Sequence, residues 1–164
     1  MTPHAQQYAG FWRRLGAVIL DSMLVLTVTA PVLYLIYGHN YFYWLITQID
    51  LLNVFGVWDF ILTRALPILA LLFFWRRIGA TPGKVLMHCR IVDHKSLAPP
   101  GSVQAITRLL GYAVSSLPLY LGFFWIGWDK HKQGFHDKLA KTLVLYEADD
   151  YAEQSLQELI EGVS

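Results

Sequence analysis

Three long apolar stretches separated by short polar blocks set the pattern of this chain. The first runs from Leu15 to Tyr37, 23 residues broken by a single charge, Asp21. At a rise of about 1.5 Å per residue it would reach ~34 Å, enough to cross a hydrocarbon core of about 30 Å. The second, Val57 to Trp75, carries Asp59, Arg64 and Pro67 and ends in Arg76-Arg77. The third, Ala105 to Trp128, is also long enough to span, but Ser115-Ser116-Leu117-Pro118 interrupts its middle. The pattern predicts an all-α integral membrane protein, a small bundle of three transmembrane helices over about 15–37, 57–75 and 105–128 with cytoplasmic interfacial segments. Residues 1–10 read as an N-terminal interfacial segment, 11–146 as the membrane domain and 147–164 as an acidic tail.

The polar blocks give the orientation. Gly38 to Phe55 holds no Lys or Arg and is rich in aromatics, so it is expected away from the cytoplasm, lying along the interface as a short amphipathic helix. Arg76, Arg77, Lys84, Arg90, Lys95 and Arg108 mark the opposite, cytoplasmic side, which is also expected for the N-terminus with Arg13-Arg14. Four lysines follow the third stretch in DKHKQGFHDKLAK. A single crossing would place them outside, whereas a broken helix or a hairpin turning at Ser115 to Pro118 would keep them inside. Helix length favours the first and charge bias the second. Val85 to Asp93 suits a strand or an interfacial helix, and Leu139 to Tyr146 a short strand or interfacial segment.

Composition agrees with lipid as the solvent: of 164 residues, 55% are hydrophobic and 15% charged, against about 25% charged in soluble domains. A formal net charge of +1 gives no reason to expect a nucleic-acid partner. The single cysteine, Cys89, excludes an internal disulfide. The first apolar run is longer than a signal-peptide core, and its small-residue site at Val28-Thr29-Ala30 precedes Pro31, so retention is expected. Gly79 to Lys84, GATPGK, resembles a phosphate loop only superficially: it is one residue short between its glycines, and Val85 stands where Ser or Thr would hold magnesium. His131 and His136 lie beside lysines and read as solvated rather than as metal ligands. No catalytic motif is present, and neither an enzyme nor a cofactor is expected.

The charges inside the apolar stretches are the candidate functional groups. A carboxylate at such depth is disfavoured by roughly 2.5–3.5 kcal/mol on insertion scales, so Asp21 needs protein or water around it. Arg14 lies one heptad earlier on nearly the same face, ~10.5 Å away along the axis. Asp59 and Arg64 stand five residues apart, about 140° round an α-helix and poorly placed to pair. We therefore expect Asp21 and Arg64 to approach each other. The alternative is that Arg64 serves Asp59 or a water-filled cavity while Asp21 answers to Arg14 or Arg108.

Three stretches, FWRRLGAVILD, GATPGKVLMHCRIVD and QGFHDKLAKTLVL, together resemble the RDD family of small membrane proteins, named for one arginine and two aspartates. The resemblance runs from about Tyr8 to Tyr146. It implies that Arg14, Asp21 and Asp137 are the characteristic residues, with Asp129 second choice to Asp137. It also implies a multi-pass protein of the kind proposed to take part in transport, with sodium/proton exchange suggested for some members. Asp21 amid Arg14, Arg64 and Arg108 suits a cation or proton exchanger, and the same charges suit a structural network in a non-transporting scaffold or assembly factor. Asp137 is expected at a surface, capping a turn or pairing with Lys84, Arg90 or Arg108. The remaining expectations are the bilayer of a bacterial inner membrane, a cation or small solute as ligand, and a homo-oligomer, since so few helices enclose little volume.

Overall fold

The computed structural model describes residues 8–47, 54–117 and 121–146. The expectations placed on Asp50, on Pro118 and on the acidic tail fall outside those residues.

Helix α1, Phe11–Tyr37, is the first apolar stretch. Its polar side chains are quieted locally: Thr27 Oγ1 donates to Met23 O at 2.7 Å and Thr29 Oγ1 to Val25 O at 2.9 Å. The helix stops at Gly38, whose φ of 68° suits a residue without Cβ and whose N–H bonds Tyr34 O. The aromatic segment then forms α2, His39–Thr47, with Tyr41 stacked on Tyr37, the short helix its composition led us to expect. Helix α3, Val57–Arg77, is the second apolar stretch. Leu26 of α1 is 63% exposed and Leu69 of α3 64%, apolar surface that water would penalise and lipid would not.

Within α3, residues Ile61–Ala65 form a π-helical turn. Pro67 offers no N–H to the carbonyl of Thr63 and its ring crowds that group, so the ladder widens just before it. The wide turn brings residue i+5 over residue i, and Arg64 Nη1 thereby lies 3.6 Å from Asp59 Oδ2. Regular α-helical geometry had argued against that pair.

Beyond α3 come α4 (Pro82–Leu86), β1 (Cys89–Asp93), α5 (Ser102–Ser116), α6 (Leu121–Gly127), α7 (Phe135–Ala140) and β2 (Thr142–Tyr146). The all-α expectation is corrected here. The β-branched run Ile91-Val92 pairs antiparallel with Leu143-Val144 in a two-stranded sheet, register Asp93↔Thr142 to Cys89↔Tyr146, as the local propensities favour. Ala9 N–H donates to Val144 O at 2.9 Å and Tyr8 bridges Leu145, so the N-terminal segment joins the sheet rather than merely anchoring at an interface. Ala9, Trp75, Cys89, Ile91, Ala105 and Val144 form the buried core at this end of the helices.

Among the described residues two helices, α1 and α3, are long and apolar enough to cross a membrane, or three spans result if α5 and α6 count as one. Those two are bent by 112° relative to one another. The strands that flank this region along the chain, β1 and β2, pair with each other. The arms also touch closely: a Cβ on Gly122 of α6 would stand 2.6 Å from Ser115 Cα of α5. Replacing Gly122 by Ala should therefore force the arms apart and destabilise the protein by about 1–3 kcal/mol. Gly127→Ala, where a Cβ meets nothing within 4 Å, should be near neutral. Melting temperatures of the two variants in detergent check this ordering.

Candidate functional site

Asp137 is fully buried between two arginines brought from distant parts of the chain. Arg14 Nη1 on α1 is 2.5 Å from Asp137 Oδ2, and Arg108 Nη1 on α5 is 2.5 Å from Asp137 Oδ1. Arg14 is held rigidly, since its Nε donates to Ala9 O at 2.9 Å and its Nη2 to Lys132 O at 2.5 Å. Arg108 Nη1 also donates to Thr142 Oγ1 at 2.7 Å, and its guanidinium lies 5.4 Å over the Trp75 ring. Gly134 N–H donates to Asp137 Oδ2, so the carboxylate closes the first turn of α7 as well. Burial by itself raises the pKa of Asp137, but Arg108 and Arg14 outweigh it and hold the carboxyl well below the usual range. The surface position expected for Asp137 is thus corrected. Its turn-capping and its pairing with Arg108 hold, while Arg14 is the partner that local reading did not supply.

Next to this unit, His136 is 3% exposed, which corrects its reading as solvated. Its N–H donates to Ser115 Oγ, and its Nδ1 lies 3.2 Å from the same hydroxyl, which in turn donates to Gly111 O. Burial pushes the His136 pKa down to about 3, with Arg108 and Arg14 adding to that and Asp137 opposing it.

Asp21 stands apart from these groups. Its Oδ2 accepts from Thr81 Oγ1 at 2.5 Å and its Oδ1 from Gly83 N–H at 2.7 Å, so α1 is clamped to the start of α4. The glycine is required: a Cβ there would lie 2.3 Å from Ala17 O and 2.9 Å from Asp21 Cγ. The segment with the look of a phosphate loop therefore wraps a carboxylate of its own chain. Asp21 and Arg64 do not pair, because Arg64 lies with Asp59 and Thr63. Asp59 also accepts from Tyr41 Oη at 2.8 Å and Phe55 N–H at 3.0 Å, fastening α2 to α3. Asp129 caps a turn through His131 N–H and Gln133 N–H and pairs with Lys138, outside the arginine network.

A cleft of about 1250 Å³ opens between α1, α3, α5 and α6. Its walls are apolar, with Val18, Val25 and Leu71 among them, and Arg14, Asp21, Lys84, Arg108 and His136 also line it. Lys84, which the sequence offered as a topology mark and as a possible partner of Asp137, is instead buried on the wall of this cleft.

The sequence model of the RDD family matches residues 8–141. This chain belongs to the RDD family. Among its relatives, uncharacterized protein RP437 of Rickettsia prowazekii (strain Madrid E) is 35% identical over 72 residues, which is 44% of this chain and 39% of that protein. Uncharacterized protein YxaI of Bacillus subtilis (strain 168) is 26% identical over 151 residues, 84% of this chain and 97% of that protein. No solved structure matches. Arg14 and Asp137 form an ion pair, and Asp21 sits on a separate clamp.

Removing the charge in Asp137→Asn would leave Arg14 and Arg108 buried without a counter-ion, a loss of about 3–5 kcal/mol. Greatly reduced accumulation and a lower melting temperature are the expected readouts. For His136 the unfolded chain, with a pKa near 6.5, binds a proton that the folded chain refuses until about pH 3. Stability therefore falls as pH drops through this window, by on the order of 2 kcal/mol between pH 6.5 and 5. His136→Asn should flatten that limb in melts recorded from pH 7 to 5.

Proposed function

We propose that this RDD protein is a transporter that exchanges a cation for protons, with Asp21 as the group that takes and releases the transported ion. The Arg14–Asp137–Arg108 unit is its fixed frame. The observation that carries the reading is the setting of Asp21: a carboxylate on the wall of a large cleft, with one hydrogen bond to each oxygen and no cationic partner within 4 Å among the described residues. A carboxylate so placed keeps lone pairs free for a metal cation or a proton. Asp137 is instead fully buried and ion-paired with two guanidinium groups.

The same reading gives the topology. Arg13, Arg14, Arg76, Arg77 and the lysines after α6 lie on the cytoplasmic side, the N-terminus with them, and α1 and α3 span a bacterial inner membrane. The bent α5–α6 segment enters and leaves on that side, which the pairing of its flanking strands supports. Backbone broken at membrane depth needs cover from protein or a cavity, and the cleft lies against it. Two spans and a re-entrant segment enclose little volume alone, so the transporting unit is a homo-oligomer. No reaction is catalysed.

A second reading, a membrane scaffold whose charges are structural, draws on the fact that both oxygens of Asp21 fasten α1 to α4. The two readings part at Asp21→Asn. An amide in this place can accept from Gly83 N–H and donate to Thr81 Oγ1, so the clamp survives while the charge is lost. In proteoliposomes we expect this variant to insert and fold normally and to lose pH-dependent cation flux. Equal flux from variant and parent removes Asp21 from the mechanism, and no flux from either protein for any cation favours the scaffold.

A further inference from the structure

Lys84 is the charge in this structure that neither the ion-pair unit nor the Asp21 clamp uses. It is 5% exposed, lines the cleft, and makes no hydrogen bond or ion pair among the described residues. A buried ammonium without a partner is costly, and chains that keep one place it beside water, a ligand or a counter-ion. Arg14 and Arg108 also line the cleft. They share the one carboxylate of Asp137, so that unit carries a positive charge of its own, and Lys84 adds a second; Asp21, held by neutral donors, pairs with neither.

The rest of the cleft has the opposite character. Val18 and Leu24 of α1, which line it, are half exposed, so its apolar walls continue into the lipid-facing surface of the helix. A ligand that suits both parts carries one compact negative group and long apolar tails. We propose that the cleft holds an anionic phospholipid, its phosphate paired with Lys84 and its acyl chains lying along α1 and α3. A small soluble anion would leave the apolar walls uncovered, and a neutral lipid would leave the ammonium unpaired.

This inference is independent of the transport reading, and its test needs no flux measurement. The full chain, purified in detergent, is titrated with phosphatidylglycerol or phosphatidylcholine and read by native mass spectrometry and by the shift in melting temperature. We expect the parent to prefer phosphatidylglycerol by at least about fivefold, Lys84→Gln to lose that preference and Lys84→Arg to keep it. Millimolar inorganic phosphate should leave lipid binding unchanged. Equal binding of the two lipids by the parent overturns the proposal, as does a preference that persists in Lys84→Gln. Displacement of the lipid by phosphate would show instead a site for small anions. If Lys84→Gln does not fold, the parent's choice between the two lipids and its response to phosphate still decide the matter.

Discussion

One buried carboxylate joins the parts of this protein that sequence separates most widely. Asp137 draws Arg14 from the start of α1 and Arg108 from α5 onto the first turn of α7. The attraction alone does not explain a stable structure, because removing three charges from solvent costs several kcal/mol per ion before any pairing is counted. What offsets that cost is the surrounding set of hydrogen bonds. Ala9 O and Lys132 O complete Arg14, Thr142 Oγ1 receives Arg108, and Gly134 N–H completes Asp137. The unit fixes position as much as it adds stability, since its partners come from α1, α5, α7 and β2 together, even though Arg108 Nε and Asp137 Oδ1 lack hydrogen-bond partners among the described residues.

Close approach of backbones makes this arrangement possible. Between helices in lipid there is little hydrophobic driving force, so packing distance and hydrogen bonds matter more than apolar area. Gly83 lets α4 reach Asp21, Gly111 lets α7 lie on α5, and Gly122 lets α6 fold onto the end of α5. Ser115 fills the last of these junctions, its hydroxyl serving Gly111 O and His136 N–H together. The cleft exists because contacts concentrate at one end, around the sheet and the arginines, while α1 and α3 keep long apolar faces without a protein partner there.

Asp137 and Asp21 thus occupy different physical situations. Asp137 is paired with two arginines, which hold its carboxyl well below the usual range. Asp21 accepts only neutral donors and borders the cleft. A frame and a responsive group are separate requirements of any protein that binds and releases an ion, and one residue cannot meet both. Asp59 forms a third kind of site, where it fastens α2 to α3 through Tyr41 and pairs with Arg64 of its own helix.

Sequence alone determined that lipid is the solvent, where α1 and α3 run, that a short helix lies in the aromatic segment, and that Arg14, Asp21 and Asp137 belong to one family pattern. These follow from hydropathy over tens of residues and from motifs, which are local or nearly so. Tertiary structure decided the partners. That Asp137 is buried and takes Arg14 depends on a contact across 123 positions. That Arg64 reaches Asp59 depends on a π turn ahead of Pro67, a departure from the α-helical period on which the opposite expectation rested. Whether Ala105 to Trp128 runs straight or bends was balanced between helix length and charge; the bend follows from pairing of strands on either side of it. Pairing in space between residues far apart along the chain leaves no periodic trace in a single sequence, because any of several cations at the same depth would satisfy the same local pattern.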